Sequence, residues 1–144
     1  MATRSTISVV REDGSVSQVY CHWDGYLEHN GVILQKHYKD LESVKELIDN
    51  GDLSSLGTRV NPRSIHTFDS PEESVCVFYH RDRNEDGTEA RHFVDMNDFY
   101  KNFQNEEYNY LFRDGTWYVR SDGQFSVFTQ LDEAFEIVAA EEAV

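Results

Sequence analysis

The pattern of apolar and polar residues changes period several times along the chain. Residues 6–12 (Thr-Ile-Ser-Val-Val-Arg-Glu) are β-branched and roughly alternating, and residues 15–23 alternate again. Asp13-Gly14 between the two runs predicts a hairpin, because Gly takes positive φ freely and Asp bonds its own backbone. In the second run Val16, Gln18, Tyr20 and His22 share one face, and Ser17, Val19, Cys21 and Trp23 share the other. The second set is the more apolar. It is assigned to the core, which puts Cys21 and Trp23 inside and sends His22 outward.

A helical period follows. Asn30 is placed to cap a helix beginning near Gly31, with Leu34, Tyr38 and Leu41 at helical spacing. Asp40 can cap a second segment striped by Val44, Leu47 and Ile48, and Asn50-Gly51 stops it. Whether Asp40 kinks one helix or separates two is open. Residues 52–57 read as a tight turn, and residues 58–73, with both prolines and no period, as the longest loop. Residues 74–80 are nearly all apolar and predict a central strand, with residues 88–94 returning as its partner. Asp95 caps a short helix that buries Met96, Phe99, Tyr100 and Phe103. Strands over 108–112, 116–120 and 124–129 turn at Asp114-Gly115 and Asp122-Gly123 as a meander, and Leu131, Phe135 and Val138 stripe a last helix. The sum is a single α+β domain over residues 1–144: an antiparallel sheet of hairpins and a meander, with three to four helices packed on it.

Composition narrows the partners. The net charge is −14, from 27 acids against 13 Lys plus Arg, which argues against direct nucleic-acid binding, since phosphates need Lys and Arg. Excess acid keeps small proteins soluble, and it also suits a basic protein partner. No Lys or Arg follows Arg120, so Asp132, Glu133, Glu136, Glu141 and Glu142 form an acidic face. No apolar run reaches membrane-spanning length and the N-terminal residues lack a signal-peptide core, so no membrane association and a cytoplasmic location are expected. Cys21 and Cys76 are then expected as reduced thiols.

Residues 20–31 (Tyr-Cys-His-Trp-Asp-Gly-Tyr-Leu-Glu-His-Asn-Gly) concentrate the chemistry-bearing side chains. Asp82, Asn84, Asp86 and Gly87 open like a calcium loop, but the twelfth position, which should be a bidentate Glu, is Phe93. Cys21, His22, His29, Cys76 and His80 could ligate zinc in principle, yet Cys21 and His22 are adjacent on opposite strand faces. Cys21 lacks the setting of a catalytic thiol, and no glycine-rich phosphate loop occurs. The expectation is no enzyme, no metal and no cofactor. What remains suits binding: His22, Trp23, Asp24, Tyr26 and His29 offer stacking faces, donors and acceptors. Arg4, Arg59 and Arg63 could supply positive charge to an anionic small molecule such as a nucleotide, held in one version across a homo-oligomer. The same aromatics could instead cap the core, or anchor a protein interface.

Residues 1–7 (Met-Ala-Thr-Arg-Ser-Thr-Ile), Tyr20-Cys-His-Trp-Asp-Gly-Tyr26, His37-Tyr38 and Gly51-Asp-Leu-Ser-Ser-Leu-Gly57 resemble a group of small proteins of tailed bacteriophages and their hosts. The resemblance is dense over the first 57 residues and thin afterwards. It implies a viral accessory protein made in the host cytoplasm, and it carries over no catalytic residue. The expected function is inhibition of a host defence or nucleic-acid-processing protein through the acidic surface. The alternative is sequestration of a nucleotide or nucleotide signal by residues 20–31.

Overall fold

The Asp13-Gly14 hairpin forms as its alternation predicts: β1 (Ser5–Val10) and β2 (Val16–Cys21) pair antiparallel from Ser5 opposite Cys21 to Val10 opposite Val16. In this computed structural model, which describes residues 2–143, the hairpin is the middle of an eight-stranded sheet. The other strands are β3 (Leu53–Ser55), β4 (Val77–Phe78), β5 (Arg91–Phe93), β6 (Tyr108–Arg113), β7 (Thr116–Ser121) and β8 (Phe125–Gln130). Their order is β4-β3-β2-β1-β6-β7-β8, with β5 on the β3 side of β2 beside Val16–Gln18. The α+β class holds, but the sheet is mixed: β1–β6 and β2–β3 are parallel and the other pairings antiparallel. A parallel partner needs a long crossover rather than a turn. The strand that fills the free edge of β1 accordingly arrives about a hundred residues later, with Thr6 Oγ1 donating to Asn109 Oδ1 at 2.8 Å.

Asp40 separates two helices, α1 (Val32–His37) and α2 (Leu41–Asp49), and its carboxylate accepts the Ser43 N–H at 2.8 Å. Both pack on one sheet face with α5 (Leu131–Glu142), around Ile7, Val9, Val19, Cys21, Leu34, Leu47 and Tyr110. The other face, assigned to solvent from the strand alternation, is buried as well. Val16 and Leu111 pack there with Phe93 of β5 and Phe99 of α4 (Met96–Asn102) in a second core. Gln18 is fully buried and satisfied by a reciprocal pair with the Gln104 backbone, 3.0 Å each way. Asp95 caps α4 as expected, accepting from the Asp98 N–H; Tyr100, expected inside, is 47% exposed.

Several boundaries differ from expectation. Residues 52–57 are not a tight turn: Asp52 is buried, accepts the Tyr20 N–H and pairs with Arg91, and β3 follows it. Residues 74–80 shrink to β4 at the sheet edge, because Asp82 accepts the Phe78 N–H and starts a helical turn, α3 (Tyr79–Arg83). The strand expected to pair with it, β5, bonds to β2 instead. Asn30 caps nothing; it lies within a π-helical turn, Leu27–Gly31, that runs into α1. Trp23 is 43% exposed rather than buried. The alternation stops at Cys21, and Asp24 turns the chain with φ of 57°. No helix among the described residues is long and apolar enough to cross a membrane.

Gly57 marks where two distant segments meet most closely. A Cβ there would lie 2.5 Å from Ser74 O and 2.6 Å from the Val75 carbonyl carbon, so one of the backbones must move. Gly57→Ala should therefore destabilise the protein by about 1–3 kcal/mol, the range for overpacking, seen as a lower midpoint in urea at unchanged slope.

Candidate functional site

The turn at residues 20–31 is held from three sides. Tyr110 Oη donates to Gly25 O at 2.6 Å, the Gly25 N–H donates to Thr3 O, and a Cβ on Gly25 would lie 2.6 Å from Ser5 Cβ. Asn30 is fully buried, and its amide donates to Ser5 Oγ at 3.3 Å and Cys21 Sγ at 3.5 Å. That leaves Asn30 Oδ1 to accept from His29 Nδ1 at 2.9 Å. This bond puts a hydrogen on Nδ1 and fixes the orientation of the His29 ring.

His29 and Asp24 line one wall of a groove of about 340 Å³, with Ile33. The floor and far wall come from Ser55, Leu56, Gly57 and Thr58 and from residues 71–75 and Val77. Asp24 and Ser74, on the two walls, both adopt left-handed backbone, φ 57° and 67°. Such positions cost energy outside glycine and persist only where the surroundings enforce them. The close approach at Gly57, with the Tyr38 Oη bond to Gly57 O at 2.8 Å, is what enforces the wall at Ser74.

The loop of residues 58–73 is pinned rather than loose. Glu72 binds the Arg59 guanidinium and the Ser64 hydroxyl and accepts the Arg63 N–H at 3.0 Å. These bonds, Ser64 first, hold its carboxyl down to about 2 against the opposing effect of desolvation. The His66 side chain is 2% exposed; its Nδ1 accepts the Glu72 N–H at 3.0 Å, and its Nε2 lies 3.2 Å from Asp82 Oδ2. Burial by itself would raise the Asp82 carboxyl. Arg81, the Phe78 N–H and His66 outweigh it and leave it below the ordinary range. Arg83 stacks on Phe68, 4.2 Å from the ring centre, and closes the loop.

The structure does not gather all the residues singled out from sequence. Asp24 and His29 share the groove. His22 accepts from or donates to Tyr20 Oη at 2.7 Å and stacks edge-on with Trp23 at 4.7 Å, outside that lining. Tyr26 lies 6.2 Å from His29, centre to centre, and is 36% exposed. Arg4 sits at the start of β1, where its N–H meets Glu107. Arg59 is committed to Glu72, and the Arg63 side chain forms no ion pair among the described residues. The groove wall is therefore acidic rather than cationic, with Asp24, Glu72 and Glu73 on it. Sequence reading missed Asn30 as the group that orients His29, and missed Thr58, Glu73 and Ser74 altogether. No local signal marks the last three, since only the fold brings residues 55–58 and 71–77 to residue 24.

Burial pushes the Cys21 thiol up to about 12, and it raises Cys76, which bonds to Gly57 N and Tyr38 Oη. Neither sulfur is a nucleophile in this state. Among the described residues no group of three or more His, Cys, Asp or Glu side chains comes together to hold a metal ion. Compared with family models, curated proteins and solved structures, the chain matches none of them.

Two measurements follow from this geometry. Glu72 and Asp82 have lowered carboxyl pKa values in the fold, so their contribution is complete above the ordinary carboxylate range and is lost as pH falls. Between pH 4.5 and about 2 the loop of residues 58–73 should lose amide-exchange protection before the sheet does. Glu72→Gln should show the open loop already at neutral pH. Trp23→Ala should cost only about 1 kcal/mol by thermal melting and leave the fold intact, since the exposed ring gives up one edge-on contact.

Proposed function

We propose that the protein is a non-catalytic accessory protein that binds and restrains a basic host protein, such as a nucleic-acid-processing or defence factor, through the outer face of α5. The observation that carries this reading is the state of the α5 carboxylates. Asp132, Glu133, Glu136, Glu141 and Glu142 are all exposed, and none takes part in an ion pair among the described residues. Some acids elsewhere have a cation beside them, Asp49 with Arg11, Glu12 with Lys45, Asp52 with Arg91 and Asp122 with Arg120, whereas α5 carries five acids and no Lys or Arg. Glu141 and Glu142 also sit at the C-terminal end of the helix, where the macrodipole disfavours negative charge. Gln35 and Gln124 donate to Asp132 and Glu141, but no cation offsets the charge, and exposed carboxylates without a cation partner on one helix steer a cationic surface.

The test uses the protein as bait in a bacterial lysate, beside the variant Glu133→Gln/Glu136→Gln/Glu141→Gln/Glu142→Gln. The wild type should retain a basic protein at low salt and release it as salt screens the contact. The variant should retain at least about tenfold less, about 1.4 kcal/mol, with no loss of melting temperature. Equal, salt-independent capture by both proteins would remove the reading.

A further inference from the structure

The groove between residues 24–33 and 55–77 has a chemistry of its own, independent of α5. Its walls are acceptors. Asp24 and Glu73 carry carboxylates with no ion pair or side-chain hydrogen bond to any described residue, whereas the neighbouring Glu72 is fully engaged. His29 lines the groove with its Nδ1 already engaged by Asn30 Oδ1. Thr58 gives its hydroxyl hydrogen to Ser74 O and keeps its oxygen lone pairs. Among the described residues no Lys or Arg lines the groove. An anion would meet repulsion there, and the carboxylates do not converge with His or Cys as metal ligands do.

Beside the acceptors lies an apolar strip, Ile33, Leu56 and Val77. An acidic rim next to an apolar wall matches a cationic head on an aliphatic stem, the combination that Lys and Arg side chains present. The volume of about 340 Å³ equals roughly ten waters, enough for one such group. We infer that this groove is a binding site for an alkylguanidinium or alkylammonium group. Asp24 and Glu73 meet the head, and the stem lies along Ile33 and Leu56. The left-handed backbone at Asp24 and Ser74 fits this assignment, since it holds both walls in place before the ligand arrives. The group could be a free small molecule or the side chain of a protein partner, and both present the same head.

Isotope-labelled protein is titrated with n-butylguanidinium chloride, with the peptide Gly-Arg-Gly and, as the anionic control, with sodium butyrate, following amide and His29 ring shifts. Saturable shifts centred on Asp24, His29, Glu73 and Ser74 are expected with both cations and none with butyrate. Asp24→Asn/Glu73→Gln should weaken binding at least about tenfold; Asn tolerates the left-handed backbone, so the fold should persist. Should the double variant melt early, Glu73→Gln alone, on an exposed residue, should still weaken binding several-fold. Equal affinity for the two cations identifies a free small molecule, and a peptide bound about tenfold tighter identifies a partner's side chain. Shifts that never saturate and spread over α5, or affinity unchanged in the variants, overturn the assignment.

Discussion

Everything in this structure is placed relative to β1. Ser5–Val10 is bonded on both edges, antiparallel to β2 and parallel to β6, and its residues are buried on both faces up to Val10. Ile7 and Val9 enter the larger core, while Thr6 finds Asn109 and Ser8 is left with a buried hydroxyl that has no partner. A strand so enclosed must have nearly every polar group paired, and its pairing joins the first half of the chain to the C-terminal meander. The β2–β5 and β3–β4 pairings tie in residues 77–93, and β1–β6 is the strand pairing that brings the meander into the sheet. The non-local parallel pair is also the slowest kind of contact to close in folding, because the loop entropy comes first.

The groove is a consequence of that central pairing. Ser5 on β1 receives the Asn30 amide, and Tyr110 on β6 holds Gly25 O. Two neighbouring strands thus grip the turn of residues 20–31 at Gly25 and Asn30, and the grip orients the His29 ring. On the opposite wall, Glu72, His66, Asp82 and Arg81 form a mostly buried ionic network that holds a proline-containing loop against the sheet. That network takes up Arg59 and Arg81, while α5 and the described groove lining carry no Lys or Arg.

Local features were legible in the sequence. The Asp-Gly turns, the caps at Asp40 and Asp95, the meander and the last helix all depend on residues within a few positions of one another. The errors share one cause, which is contact between segments far apart in the chain. Gln18 looked solvent-facing because its cover, residues 91–104, cannot be seen from β2. Trp23 looked buried because a two-residue period was carried beyond Cys21, where the strand ends ahead of the turn at Asp24. Residues 74–80 looked like a central strand because apolar content reports burial, and an edge strand under a pinned loop is just as buried. In the candidate site, Asp24 and His29 stood out by residue type. Their true neighbours, Glu73 and Ser74, are ordinary loop residues until Gly57 brings them close; of the arginines expected beside the aromatics, Arg59 is committed to Glu72, and neither it nor Arg4 nor Arg63 lines the groove.

The two cysteines have a practical consequence. Both sulfurs are sealed among core side chains with their thiols pushed up, so thiol reagents have no access while the fold is closed. Cys21 sits at the end of β2 beneath the turn, and Cys76 sits under the Gly57 crossing next to β4. Their labelling rates therefore act as two internal clocks, one for opening of the sheet centre and one for release of the loop-bearing edge. The ratio of those rates reports whether the molecule opens as one unit or peels from the β4 side.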